Sequence, residues 1–332
     1  MIRLGTRGSL LATTQSGHVA DALGWLLGTG EVELVTIRTE GDRLRGSLAA
    51  LGGAGVFVAA LREALLEDRC DLAVHSLKDL PTAPAPGLAL AAVPAREEPR
   101  DALCARDGMH LKDLPDGARV GTGSPRRAAQ LRAARLDLEV VDIRGNVGTR
   151  LGRVPGLGHD GPGDLDAVVL AAAGLERLGM IGVASEVLDR HVLTPAPGQG
   201  ALAVEVRAGD ELGELVARLD DLTSRLEVTA ERSLLATLEA GCAAPIGALA
   251  RVEAGDLVLE AVVCRPDGGA QVRTEQRLPL PHGVVGVDGA THHDPQAPVW
   301  ALEVAVRLGA DVAHRLLDDG AAELAPLVDG RR

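Results

Sequence analysis

Five short runs rich in Val, Ile and Leu mark the first two-thirds of the chain, at residues 31–39, 71–75, 101–105, 138–143 and 166–171. Each closes on a turn bearing Gly, Ser or Asp, and helical patterns lie between them. Strands that repeatedly feed helices bury both kinds of apolar face in an α/β sheet covered by helices. That pattern predicts the fold class. It also predicts where a ligand goes, since such sheets bind ligands beyond the C-terminal ends of their strands.

A chain of 332 residues exceeds the size at which one core keeps growing, so more than one domain is expected. Pro81, Pro84, Pro86, Pro94 and Pro99 crowd one stretch, which reads as a crossing into a second unit. Thr194-Pro-Ala-Pro-Gly-Gln-Gly200 reads as the return. Two crossings this far apart predict two α/β units facing across a cleft, the second inserted in the first, and clefts of this kind take small molecules. Past Leu222 a helical pattern runs to Glu239 and strand-like segments follow at 246–252, 257–264 and 270–277, so a smaller α+β unit is expected. Residues 279–298 have no periodicity and read as a surface loop before a last helix over 299–319. The expected division is 1–97 with 199–219, then 98–198, then 220–332.

With one Phe, two Trp, no Tyr and a net charge of −13, the chain lacks the basic grooves and stacking rings of a single-strand nucleic-acid binder. No run of about 18 apolar residues occurs and the start lacks a secretory layout, which predicts a cytoplasmic protein without a membrane partner. Cys70, Cys104, Cys242 and Cys264 are scattered, with no C-x-x-C pair, and suit free thiols in a reducing compartment. His292-His293-Asp294 reads as solvated loop rather than a metal site, because no further ligand stands at a defined spacing. No metal is expected.

Four segments carry candidate chemistry. Asp71-Leu-Ala-Val-His-Ser-Leu-Lys-Asp-Leu-Pro81 sets Ser76, Lys78 and Asp79 just past a buried strand, as a cleft-facing group or as a solvated turn with an incidental ion pair. Lys78 is one of only two lysines. Val120-Gly-Thr-Gly-Ser-Pro-Arg-Arg127 runs from strand to helix, with Thr122, Ser124, Arg126 and Arg127 beside free N–H donors; it suits a carboxylate or phosphate, or is a bare helix cap. Ile143-Arg-Gly-Asn-Val-Gly-Thr-Arg150 repeats the design with Arg144 and Arg150, and Arg7, Ser9 and Arg177 follow other strands. Guanidinium forks pair with carboxylates bidentately, so these arginines together form a trap for a polyanion, whereas any one alone reads as a surface charge. Cys242, between Gly241 and Pro245, is a small buried hydrophobe or a reactive loop thiol. These features also admit a non-catalytic polyanion receptor. A phosphate-binding transferase is a weaker alternative, because no G-x-x-x-x-G-K-[ST] string exists.

Six strings occur in one order: Gly5-Thr-Arg-Gly-Ser9, Ala73-Val-His-Ser-Leu-Lys-Asp79, Val120-Gly-Thr-Gly-Ser-Pro-Arg-Arg127, Arg144-Gly-Asn-Val-Gly-Thr-Arg150, Pro197-Gly-Gln-Gly200, and Gly241-Cys242 with Pro245-Ile-Gly247. Taken together the chain resembles the porphobilinogen deaminase (hydroxymethylbilane synthase) family. The resemblance implies two domains similar to type II periplasmic binding proteins plus a third that carries a loop cysteine. It implies a dipyrromethane cofactor in thioether linkage to Cys242, and a transferase of porphyrin and heme biosynthesis that condenses four porphobilinogen units on that primer before hydrolytic release of hydroxymethylbilane. By the same carry-over Asp79 is the catalytic acid. Arg7, Ser9, Arg126, Arg127, Arg144, Arg150 and Arg177 bind acetate and propionate groups, and Ser76, Lys78, Thr122, Ser124 and Gln199 line the cleft. Residues 48–57 resemble the family's active-site lid, with Phe57 in place but Ala50 and Ala54 where many relatives carry lysine, which implies a weaker pull on substrate. The insertion at 156–163 and the loop after Pro279 are longer than usual. The partners implied are porphobilinogen and the growing oligopyrrole, bound by a monomer.

Overall fold

The computed structural model describes residues 1–28, 32–37, 55–158, 161–240, 244–280, 299–325 and 327, without the side chains of 55–57. β1 (Ile2–Thr6) leads into α1 (Leu10–Leu27), β2 (Val32–Thr36), α2 (Gly55–Leu66), β3 (Leu72–Ser76) and β4 (Leu88–Ala92). The chain then crosses to β5 (Asp101–Ala105), β6 (Arg119–Gly121), α3 (Pro125–Ala134), β7 (Glu139–Val141), α4 (Val147–Leu151), β8 (Ala167–Ala171), α5 (Ala172–Arg177) and β9 (Glu186–Val187). It returns as β10 (Leu202–Arg207) and continues through α6 (Leu212–Val216), α7 (Leu222–Thr237), β11 (Ile246–Glu253), β12 (Asp256–Cys264), β13 (Gln271–Pro279) and α8 (Val299–Asp318).

Two five-stranded sheets share one design. The first has the order β2-β1-β3-β10-β4 and the second β7-β6-β8-β5-β9. In each, three neighbouring strands run parallel, and an antiparallel strand, β10 or β5, lies between the third of them and the last. Both antiparallel strands are those the chain forms directly after crossing over, so the crossings are built into the sheets and are not loose linkers. Interior strands of these sheets are buried on both faces, as the antiparallel β5 and nearly all of the parallel β8 show. The α/β class expected from the alternating pattern is therefore what the chain adopts.

The third sheet, β11-β12-β13, is antiparallel. Leu257, Leu259, Ala261 and Val263 of β12 face the core made with α7 and α8, where Leu226, Ala230, Leu234, Leu308 and Val312 are fully or almost fully buried. On the other face, Val262 and Cys264 pack on Ala129 of α3. The period-two alternation of a strand thus gives β12 one face for its own core and one for the second sheet's helix. The stretch at 81–99, read as a crossing, also holds β4 before it crosses. The helix read over 222–239 is α7, and the last helix is α8. Residues 31, 38–54 and 281–298, with His292, His293 and Asp294 among them, lie outside the described residues. Among the described helices none is long and apolar enough to cross a membrane.

One carboxylate ties the three sheets together. Glu231 of α7 is fully buried and receives Arg96 Nη1 at 2.7 Å and Nη2 at 3.0 Å, the Gly198 amide at 2.6 Å and the Ala250 amide at 2.8 Å. Arg96 precedes β5, Gly198 precedes β10 and Ala250 lies in β11, so both crossings and the third sheet end on the same group. Removing one partner of a buried pair leaves the other charge unsolvated. Glu231→Ala is expected to lose about 3–5 kcal/mol of stability in urea unfolding at neutral pH; a loss below about 1 kcal/mol, the scale of an exposed pair, would show that Glu231 does not bear this load.

Candidate active site

The turn Leu77–Asp79 follows β3 at the C-terminal edge of the first sheet. Its place is fixed by the backbone: the Leu77 amide donates to the Ala201 carbonyl at 3.0 Å, and the Leu80 amide closes the turn on Leu77 at 3.0 Å. The returning Pro-Gly-Gln-Gly segment lies directly against it. Gly198 has φ +74°, and a Cβ there would come within 3.2 Å of the Lys78 amide nitrogen. Gly200 has φ +88°, and its Cβ would be 2.4 Å from the Glu97 carbonyl oxygen. Glycine at both positions supplies the left-handed backbone and the close approach together.

From this junction a polar network runs from the first sheet to the second. Lys78 Nζ reaches Gln199 Oε1 at 3.5 Å. Gln199, almost fully buried, donates to the Pro99 carbonyl and to Asp101 Oδ1, each at 2.8 Å. Arg127 donates to Asp101 Oδ1 through Nε at 3.0 Å and Nη2 at 2.7 Å, to the Val169 carbonyl at 3.0 Å, and to Gln199 Oε1 at 3.4 Å. Arg126 contacts Asp101 Oδ2 at 2.8 Å and donates to the Thr194 carbonyl at 2.6 Å. Both arginines start α3, where Ser124 caps the helix by accepting from the Arg127 amide at 3.4 Å while its own amide donates to the Thr122 hydroxyl at 3.2 Å. Pro125 at the first helical position suits this start.

Other expected residues surround the network. Arg150 of α4 is half-buried and donates from Nε to the Gly145 carbonyl at 2.8 Å; among the described residues no carboxylate lies within ion-pair distance of it. Arg177 donates to the Gly200 carbonyl at 2.6 Å and pairs with Glu97 at 2.7 Å. Arg144 is exposed and 3.5 Å from Asp142. Arg7 follows β1 and is half-buried. Two of the candidates engage α1 and not the network: Ser9 caps it, accepting from Ala12 at 3.3 Å, and Ser76 donates to Gln15 at 3.2 Å. Cys242 and the Phe57 side chain lie outside the described residues, although Phe57 belongs to the first turn of α2.

The charges of the site explain its titration. Burial pushes the Lys78 ammonium down to about 8, opposed by Asp79 and reinforced by Arg127. Burial lowers the Arg150 guanidinium from its ordinary value, and Arg127 adds to the effect. Burial alone would raise the Asp101 carboxyl, but Arg126 and Arg127 outweigh it and hold Asp101 down to about 2. Among the described residues Lys78, Arg126, Arg127, Arg144 and Arg150 face the three carboxylates Asp79, Asp101 and Asp142, so the site carries excess positive charge inside an acidic protein. Among the described residues the buried Arg126 Nε has no hydrogen-bond partner. A dipyrromethane, with carboxylate side chains on both rings, fits a donor set of this sign and density.

Comparison with known proteins decides the family. A family model described as "Porphobilinogen deaminase, dipyromethane cofactor binding domain" matches residues 2–214, and "Porphobilinogen deaminase, C-terminal domain" matches 225–318. The chain belongs to the porphobilinogen deaminase family. It is 55% identical to a porphobilinogen deaminase of Cutibacterium acnes, covering 98% of this chain and 97% of that one, and 54% identical to one of Leifsonia xyli, covering 98% and 94%. Among solved structures it is similar to a YaeC-family lipoprotein of Enterococcus faecalis at 16% identity, over 66% of this chain and 90% of that one, with a TM-score of 0.36. The enzyme is thus a transferase of tetrapyrrole synthesis, with a dipyrromethane-binding region spanning both α/β sheets.

The sequence did not single out Asp101, the shared counter-charge of Arg126 and Arg127. An acid opening an otherwise apolar strand was the available signal, since a fully buried carboxylate demands partners. Asp101→Ala is expected to lower stability by about 3–5 kcal/mol in denaturant unfolding. The contribution of this carboxyl is complete above its unfolded value near pH 4 and is lost as pH falls through about 2. The variant should therefore show a shallower loss of stability than wild type over that acid range, and an unchanged acid profile would refute the pairing.

Proposed function

We propose that the enzyme condenses four porphobilinogen units, one at a time, with Asp79 as the proton donor and Cys242 as the thioether anchor of the dipyrromethane. The observation that carries this reading is the adjacency of the Asp79 turn to a guanidinium cluster with excess positive charge. When bound, dipyrromethane supplies the free pyrrole α-carbon on which the product grows. In each cycle the aminomethyl C–N bond breaks and ammonia leaves with a proton from Asp79, a methylene–pyrrole C–C bond forms, and the proton lost from the attacking α-carbon returns to the Asp79 carboxylate. Asp79 donates to the departing amine, and its carboxylate then faces the pyrrole N–H and the developing positive charge. Lys78, with its ammonium lowered by burial, lies next to Asp79 and orients substrate carboxylates together with Gln199. Arg127 and Arg150 hold acetate and propionate groups, with Arg7, Ser9, Ser76, Thr122, Ser124, Arg126, Arg144 and Arg177 completing the cleft and Phe57 closing over it. After the fourth addition, hydrolysis of the bond between the first-added unit and the primer releases hydroxymethylbilane.

The same reading divides the chain into 1–97 with 199–219, 98–198 and 220–332, which the three sheets and their separate cores support. It takes the enzyme to be a cytoplasmic monomer without nucleic-acid or membrane partners. Buried free thiols at Cys70, Cys104 and Cys264 are consistent with a reducing compartment.

Intact-mass measurement of enzyme from a host that makes porphobilinogen should reveal an adduct of two pyrrole units, absent from Cys242→Ala; unmodified wild type would favour a non-catalytic polyanion receptor. Asp79→Asn should keep that adduct and the fold yet lose about 10²-fold or more of turnover. Near-normal steady-state rates in Asp79→Asn would remove the aspartate from the chemistry.

A further inference from the structure

Behind the Asp79 turn, on the face of the first sheet covered by α2, three polar side chains meet in an apolar setting. Glu205 of β10 is 3% exposed. It receives Arg62 of α2 at both oxygens, Nη2 to Oε1 at 2.8 Å and Nε to Oε2 at 3.0 Å. His75 of β3 brings Nε2 to 3.1 Å from the same Oε2. In the antiparallel register His75 lies opposite Ala203 and Glu205 opposite Ala73, so the two side chains are diagonal neighbours on one face. Burial opposes ionisation of Glu205, yet His75 and Arg62 outweigh it and hold the carboxyl down to about 2.

An ion pair this deep gives little net stability compared with apolar side chains of equal volume. What it provides is direction. Val58, Leu61 and Leu65 of α2 pack on the sheet through aliphatic contacts that alone tolerate sliding. A bidentate fork fixes the helix at one axial position. That position matters to the active site, because Val58 shares one packed cluster with Leu77 and Leu80, the residues on either side of Lys78 and Asp79. His75 acts on the same turn from within the strand, one residue before Ser76.

We propose that Arg62, Glu205 and His75 form a buried brace that positions the Lys78–Asp79 turn against α2, making His75 a positioning residue for proton donation. This inference rests on the catalytic role given to Asp79 above. A small displacement of a proton donor lowers the rate of the chemical step more than it weakens substrate binding. The test compares His75→Leu, His75→Gln, which keeps a donor toward Glu205, and Arg62→Met, at a half-buried position, each isolated as holoenzyme and checked for the two-pyrrole adduct by mass. His75→Leu and Arg62→Met are expected to retain the adduct and to lose about 10-fold to 10²-fold in kcat, with KM changed by less than about threefold, a shift of under about 1 kcal/mol in binding. His75→Gln should recover most of kcat.

A purely structural role would lower the melting temperature of all three without separating kcat from KM and without rescue by Gln. Wild-type kcat in His75→Leu, or in Arg62→Met if the leucine variant does not fold, overturns the brace, as does a His75→Gln enzyme no faster than His75→Leu. Wild-type enzyme lacking both adduct and turnover would overturn the underlying function and the brace with it.

Discussion

Two guanidiniums forced side by side at the start of one helix repel, and the structure depends on how that repulsion is met. At about 4 Å, in surroundings of effective dielectric near 20, two unit charges interact by roughly 4 kcal/mol. That is a large share of a domain's total stability. Asp101 answers it by standing between Arg126 and Arg127, fully buried and bonded to both. Because Asp101 opens β5, the charge balance of the site and the strand that crosses between sheets are fixed by the same residue.

Neutralisation is incomplete by design of the donor set. Asp101 takes one side of Arg127, and the Val169 carbonyl another. Among the described residues Arg150 hydrogen-bonds to a carbonyl and pairs with no carboxylate. A ligand that gains two carboxylates with each unit added needs such residual charge along its path. Arginine supplies it better than lysine, since the guanidinium stays charged when desolvated and offers a planar pair of donors. The one lysine in the network sits beside Asp79, where burial has already lowered its hold on its proton.

Much of this was legible in the chain of letters, and the exceptions have physical causes. Strands made of continuous Val, Leu and Ala, such as β5 and β8, announce themselves because both their faces are buried. β4 was hidden in a stretch read as linker, because prolines on both sides masked five residues of strand. β10 was not singled out, and Glu205 in its middle argues locally against burial. Only pairing over long sequence distances, with Arg62 and His75, makes that glutamate reasonable. The start of α3 was readable since its cap is local: Ser124 accepts from the Arg127 amide and Pro125 opens the helix, all within one helical turn. Asp101 and Glu231 were not, because each binds partners far away in sequence and no spacing rule reports them.

The exchanged strands have a consequence for the order in which the polypeptide can mature as it leaves the ribosome. β5 to β9 are contiguous, so the inserted sheet has every strand it needs once residue 187 has emerged. The sheet that begins the chain does not. Among the described strands β4 is hydrogen-bonded to β10 alone, and β3 lacks a neighbour on one side until residues 202–207 arrive. The N-terminal half therefore waits, with an open edge beside the future Leu77–Asp79 turn, while the half synthesised later closes first, a reversal of the usual N-to-C progression.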